Sequence, residues 1–354
     1  MSGRARGAGA SLLRAALSGA EPFYAGVAAA RNWLFDVGLK KAHRLPRPVI
    51  SVGNLTTGGT GKTPVVRWLA ERLRADGRRV AVLARGYGAA AGRLGDEQLM
   101  LDRLLNDGQG ERVTIVADPD RVAAAGRVMR DRPEVDAFVL DDGFQHRRLA
   151  RDLDVVLLSA TSPFGYGHVL PRGMLREPVR GLRRAGAVVI THADQVPPAE
   201  VEAIERRVRD VHADVPVFRA VHAYTALHTP EDATLPLGEL AARNWFGLCG
   251  IGDPQTFVRQ LQSVGGRSAG CRCFADHHHY TVSNLENVRR EARSANADVI
   301  VTTEKDWAKL RALPAATDKT LPIWRVDLRV QFLGDGEDQL WERVKAAISA
   351  RGRN

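Results

Sequence analysis

Short, mostly apolar and β-branched runs at 49–52, 80–83, 113–116, 137–140, 155–158 and 188–191 alternate along the chain with longer stretches of helical periodicity at 62–76, 119–130 and 198–211. A strand that is apolar at every position is covered on both faces, and strands separated by helices run parallel. The pattern predicts an α/β fold with a doubly wound, mostly parallel sheet over 46–225. The turn-rich stretch "YTALHTPEDATLPLGEL" at 224–240 interrupts it. A second alternation follows, with strands at 245–249, 298–301 and 323–326 and helices after Pro254, at 282–295 and from Lys305. It predicts a smaller α/β domain over 226–335, closed by a C-terminal helix and tail over 336–354.

Residues 1–45 read differently. From Pro22, the positions Phe23, Val27, Ala30, Leu34 and Val37 recur at steps of four and three, one apolar helical stripe. Tyr24, Trp33 and Phe35 lie beside it, and Arg14, Arg31, Lys40, Lys41, Arg44 and Arg47 surround it with positive charge. The uncharged run is far shorter than the roughly 20 residues a membrane-spanning helix needs. Two readings remain: a helix lying in a membrane interface, or one docked on the core.

Charge sharpens the choice of partner only partly. The chain of 354 residues carries 51 Lys plus Arg against 41 Asp plus Glu, a formal +10. Such a surface attracts nucleic acid, an anionic membrane or a phosphorylated substrate. No nucleic-acid recognition motif is present, so nucleic acid is not the expected partner, and nothing points to an obligate protein partner. The three cysteines, Cys249, Cys271 and Cys273, are too few for a disulfide framework and lack a second ligand pair at zinc spacing, so buried or incidental thiols in the cytoplasm are expected.

Candidate chemistry begins at "SVGNLTTGGTGKTP", residues 51–64, between a predicted strand and a predicted helix. Strand, glycine-rich loop and helix are the context of a phosphate-binding P-loop. Gly58, Gly59, Thr60, Gly61, Lys62 and Thr63 are the expected nucleotide contacts, with Lys62 on the β- and γ-phosphates and the Thr63 hydroxyl on Mg²⁺. The usual spacing puts a glycine at Thr56, whereas this chain has its leading glycine at Gly53. In "AFVLDDGFQH", residues 137–146, Asp141 and Asp142 stand where an apolar strand ends, as Mg²⁺ anchors do. The fold is therefore expected to be P-loop NTPase-like.

Further strings follow in order: "ARGYG" at 84–88, "GDEQLM" at 95–100, "DDGFQHRRLARDLD" at 141–154, "LPRGMLREP" at 170–178, "GIGDPQTF" at 250–257, "FADHHHYT" at 274–281 and "TTEKDWAKL" at 302–310. With the divergent P-loop, the series resembles the tetraacyldisaccharide 4'-kinase family of lipid A biosynthesis from about residue 20 to about 330. The resemblance implies a kinase that uses ATP and Mg²⁺ to phosphorylate the 4'-hydroxyl of an acylated glucosamine disaccharide 1-phosphate, a lipid-linked substrate, giving lipid IV-A. It also implies a peripheral protein on the cytoplasmic leaflet of the inner membrane, which favours the membrane reading of the N-terminal stripe. Asp96 matches the family's catalytic aspartate and His277 its histidine partner, although His278 is an alternative and a triple histidine beside an acid is also a metal-site pattern. Gln145 is expected at the nucleotide edge, and Arg85, Tyr87, Glu97, Arg121 and His146 near phosphates or the acceptor sugar.

Ala84, Tyr166 and Asp253 depart from residues common in the family, namely serine, asparagine and asparagine. None removes a group assigned to chemistry. Among other functions, a P-loop GTPase would carry an Asn/Thr-Lys-x-Asp string, and the nearest match, "THAD" at 191–194, has His192 in place of lysine.

Overall fold

The computed structural model describes residues 7–86, 94–106, 110–276 and 278–351. Tyr87 and His277 lie outside these. Two compact units are built, the first from the stretches up to residue 93, 104–222 and 330 onward, the second from 94–103 and 223–329.

In the first unit, helix α1 (Ala8–Asp36) precedes β1 (Val49–Asn54), α2 (Lys62–Ala75) and β2 (Val80–Ala84). After helix α3 (Asp96–Asn106), most of which belongs to the second unit, come β3 (Thr114–Ala117), α4 (Arg121–Asp131), β4 (Ala137–Asp141), β5 (Leu153–Ser159) and β6 (Ala187–Thr191) of the first. Helix α5 (Pro198–Val211) then feeds β7 (Val217–His228). The strands run parallel in the order β7-β6-β5-β1-β4-β2-β3. The apolar runs become strands because they are wholly buried, β1, β2, β5 and β6 at every position. From β1 the chain winds outward in both directions, so its C-terminal end is the switch point where such sheets bind ligands.

Helix α1 starts well before Pro22, which sits inside it. On one side Tyr24 and Ala25 pack against the core. Glu21 accepts from the Val169 amide at 3.0 Å, Asn32 Nδ2 donates to Glu177 Oε2 at 2.7 Å, and Arg147 Nη1 donates to the Asn32 carbonyl at 2.8 Å. The opposite side leaves Leu12, Phe23, Val27 and Val37 exposed, Phe23 at 79%. The helix is thus docked through a largely polar face and shows its apolar face outward. No described helix is long and apolar enough to cross a membrane.

The second unit contains β8 (Thr234–Leu235), α6 (Gly238–Ala241), β9 (Asn244–Cys249), α7 (Pro254–Val264) and β10 (Arg267–Cys273). Then come α8 (Val282–Ser294), β11 (Val299–Thr303), α9 (Glu304–Leu310) and β12 (Ile323–Phe332), before α10 (Gly336–Arg351) returns to the first unit. Strands β10, β9, β11 and β12 are parallel neighbours in that order. Alternate residues serve two cores: Phe246, Leu248, Ile300 and Ile323 in one, Trp245, Cys249, Val299, Val301 and Trp324 in the other. Periodicity did not disclose β10, whose sequence "RSAGCRC" is mostly small or polar and largely exposed. Nor did it disclose α3. At Tyr166 the backbone is left-handed, φ 64°, a conformation asparagine tolerates better than tyrosine. Asp253 caps α7 by accepting from the Thr256 amide at 3.1 Å, a role asparagine fills equally.

Candidate active site

The loop between β1 and α2 ends at Gly61, whose φ of 69° and ψ of 35° suit glycine and turn the chain into the helix. A Cβ on Gly61 would lie 1.9 Å from His222 Cε1, so an imidazole lies directly behind the loop. His222 Nδ1 is 2.9 Å from His192 Nε2, and His192 Nδ1 is 3.1 Å from Ser159 Oγ. The Thr191 hydroxyl donates to the Thr60 carbonyl at 2.9 Å. Thus "THAD", the place where a guanine-reading string was sought, braces the phosphate loop. Gly61→Ala combines strained backbone with this collision; it is expected to weaken ATP binding by at least about tenfold, measured by calorimetric titration.

Burial, and then the neighbouring His192, push the His222 imidazole down from 6.5 to about 3. The unfolded chain therefore binds the extra proton between those values, and the folded state loses stability as pH falls through that window. Urea midpoints are expected to drop from pH 7 to pH 5, with a shallower drop in His222→Gln.

The unusual glycine spacing has a structural cause. The Thr57 amide donates to Met174 O at 2.9 Å, the Arg176 amide donates to Leu55 O at 2.7 Å, and Thr56 bridges Leu175 in antiparallel fashion. Thr56 is therefore a buried, strand-like residue where other P-loops need a glycine. Gly53 instead serves the crossing chain, because a Cβ there would meet Phe144 N and Cβ, both at 2.7 Å. That close approach brings the segment after the acid pair against β1.

Asp141 ends β4, paired in register with Val52 of β1, and Asp142 follows at φ 53°. Arg176 Nη1 donates to both Asp142 oxygens, at 2.8 and 2.7 Å, and Lys62 Nζ lies 3.7 Å away. Burial alone would raise the Asp142 carboxyl, but Lys62 and then Arg176 outweigh it and hold it below the ordinary carboxylate range. Gln145 is fully engaged: Nε2 donates to Asn54 O at 2.9 Å and Glu177 Oε1 at 3.1 Å, while Oε1 accepts from Arg176 at 3.3 Å. Buried Glu177 is clasped by Arg184 at 2.8 and 2.9 Å.

Arg121 opens α4, is buried, and donates through Nη2 to the Asp141 carbonyl at 3.4 Å. Burial and then Arg121 push His146 down to about 4, so it is neutral at physiological pH. Arg85 follows β2 and lines a groove of about 580 Å³ with Tyr24, Thr57, Gln145, Leu170 and Arg176. Asp96 and Glu97 open α3 and pack with the second unit. Lys309 Nζ is 3.9 Å from the Asp96 carboxylate and donates to the His278 carbonyl at 3.2 Å. Arg176, Glu177, His222 and Lys309 were not singled out in the sequence, and His192 was read only as the missing lysine of a guanine-reading string; Arg176 and Glu177 sit in the quoted string "LPRGMLREP" and Lys309 in "TTEKDWAKL".

A phosphate loop at the switch point of a doubly wound sheet, with acids on the adjoining strand, places the chain among the P-loop nucleotide-dependent proteins. Comparison with known proteins goes further. The family profile described as LpxK, tetraacyldisaccharide-1-P 4'-kinase, matches residues 13–349. The tetraacyldisaccharide 4'-kinase of Anaeromyxobacter sp. strain K is 44% identical over 363 residues, covering 97% of this chain and 92% of that protein. Its counterpart from Geobacter sulfurreducens is 37% identical over 350 residues, covering 94% and 93%. The crystal structure of LpxK from Aquifex aeolicus in complex with ATP superposes with a TM-score of 0.72 at 27% identity, covering 95% of this chain and 99% of that one. The chain belongs to the tetraacyldisaccharide 4'-kinase family, and its activity is that kinase activity of lipid A biosynthesis.

Proposed function

We propose that the chain transfers the γ-phosphoryl group of ATP to the 4'-hydroxyl of a tetraacylated glucosamine disaccharide 1-phosphate, giving lipid IV-A, while resting on the cytoplasmic leaflet of the inner membrane. The observation that carries this reading is the convergence of Lys62 and Arg176 on Asp142 beside the N-terminus of α2. There, loop amides and two cations are ready for a polyphosphate. Lys62 and the amides of Gly58, Gly59, Thr60 and Gly61 hold the phosphates. Gln145 and Arg121 fix the acid pair from behind.

The donor set suits Mg²⁺, a hard ion that takes oxygen ligands: the Thr63 hydroxyl and the carboxylates of Asp141 and Asp142. We assign Asp141 as the direct ligand, because Asp142 is already clasped by Arg176. Bound there, the ion supplies charge neutralisation on the phosphate oxygens. Asp96 accepts the proton of the attacking 4'-hydroxyl, with Lys309 orienting it and His277 as its imidazole partner. The groove beneath α1 takes the acceptor, with Arg85 on its polar side; Tyr87, outside the described residues, is a further candidate for the acceptor sugar, and Glu97 and His146 shape the surroundings.

The outward apolar face of α1 is the membrane-facing surface, since four acyl chains keep the substrate in the bilayer. Beside it Arg31, Lys40, Lys41 and Arg148 line a basic pocket of about 290 Å³, suited to anionic lipid. Replacing Phe23 and Val27 together by Asp is expected to cut binding to anionic vesicles by about tenfold or more, measured by flotation, with ATP binding unchanged.

The reading as a whole is tested by following labelled phosphate from ATP with and without the disaccharide lipid. Transfer to lipid is expected, with little ATP consumed in its absence. Equal ATP consumption without lipid, and no labelled lipid, would point instead to an ATPase switch.

A further inference from the structure

The chain's three cysteines, far apart in sequence from the phosphate loop, converge on one spot of the second unit. Cys249 closes β9, and Cys271 and Cys273 lie near the end of β10. All three sulfurs lie within 4.8 Å of one another, with Cys271 to Cys273 at 3.5 Å and Cys249 to Cys273 at 3.9 Å. They are free thiols, not disulfides. A chain with so few cysteines gathers all of them at one place.

The backbone is shaped for that gathering. Residues 271 and 273 point to one side of β10, and their register partners on β9 are Gly247 and Cys249. A bulge between Ser268 and Gly270, with Gly270 at φ 138°, sets this register. A Cβ at Gly247 would lie 2.8 Å from the Cys271 sulfur, so only glycine there leaves the thiol its space. Zn–S bonds of about 2.3 Å require sulfur-to-sulfur edges of about 3.8 Å in a tetrahedral site. The measured edges bracket that value. Cys249 is buried, Cys271 half-buried and Cys273 exposed, so the triad opens to solvent on one side.

We propose that Cys249, Cys271 and Cys273 bind one thiophilic divalent ion of the Zn²⁺ class through three thiolates, leaving the fourth position to water or an incoming thiol. Soft thiolate ligands, with no carboxylate or imidazole among the described residues of the cluster, select such ions over Mg²⁺. The site sits at the end of β10 just ahead of "FADHHHYT", so an ion there ties the strand that leads into that loop to β9. It is separate from the Mg²⁺ donors of the first unit and stands whether or not the proposed transfer mechanism holds.

The test uses the full chain, reduced and stripped of metal, titrated without oxygen with Co²⁺ and then Zn²⁺. A thiolate-to-cobalt charge-transfer band saturating at one equivalent, and bleached by Zn²⁺, is expected. Cys271→Ser and Cys273→Ser, both outside the fully buried core, are each expected to weaken binding by about 100-fold, while Lys62→Ala leaves it unchanged. Circular dichroism of each variant separates lost ligation from lost folding. No band at stoichiometric cobalt, or a band that survives both substitutions, overturns the proposal. So does a Cys249–Cys273 disulfide found quantitatively in protein extracted without oxygen.

Discussion

Lys62→Ala is expected to lower kcat by about 10²–10³-fold and to raise the KM for ATP, with the fold intact. The side chain is only 20% exposed, its described ion pair is with Asp142 at 3.7 Å, and Arg176 holds that carboxylate independently. Losing the ammonium therefore leaves no orphaned buried charge, which is the usual reason a single substitution unfolds a site. What is lost is a cation beside the charge that shifts during transfer, where preorganised positive groups act most strongly. Steady-state transfer to the disaccharide lipid, with thermal melting as the control for folding, checks both halves. A variant that keeps kcat within about threefold of the parent would remove Lys62 from the chemistry. Arg176→Ala is a useful contrast, because it strips Asp142 and Gln145 of a shared partner and is expected to lower stability as well as rate.

How far such roles can be read without coordinates depends on how local their cause is. The parallel strands of the first unit were legible because burial on both faces writes itself as short, almost wholly apolar runs, as in Val80–Ala84. The phosphate loop was legible because strand, glycines, lysine and hydroxyl are contiguous. β10 was not, because it carries a bulge and meets the cores only through small residues such as Ala269 and Cys271. The docked side of α1 was equally hidden: Glu21 accepts a hydrogen bond from, and Tyr24 and Asn32 donate to, residues more than a hundred positions away. His222 shows the limit most clearly. Nothing near it in sequence speaks of phosphate, and only the 1.9 Å collision with an added Cβ at Gly61 reveals that the two share one space.

Asp96→Asn is expected to lower kcat by about 10²–10⁴-fold with ATP affinity unchanged. The two effects separate because Asp96 belongs to the second unit, whereas the phosphate loop and acid pair belong to the first. An amide keeps the shape of the carboxylate and one acceptor oxygen, but its NH2 group donates and it cannot take up a proton, so the loss reports chiefly on the base function. The side chain is 56% exposed, and its described ion-pair partner is Lys309, itself only 11% exposed and also bound to the His278 carbonyl. Lys309 thus ties the aspartate to the histidine segment, and in the proposed mechanism its charge positions Asp96 rather than moving the proton. Lys309→Met is accordingly expected to cost about fivefold or less, the worth of a partly exposed ion pair. Single-turnover transfer at saturating ATP distinguishes these outcomes: a small loss in Asp96→Asn and a large one in Lys309→Met would make the lysine the reacting group and the aspartate its anchor.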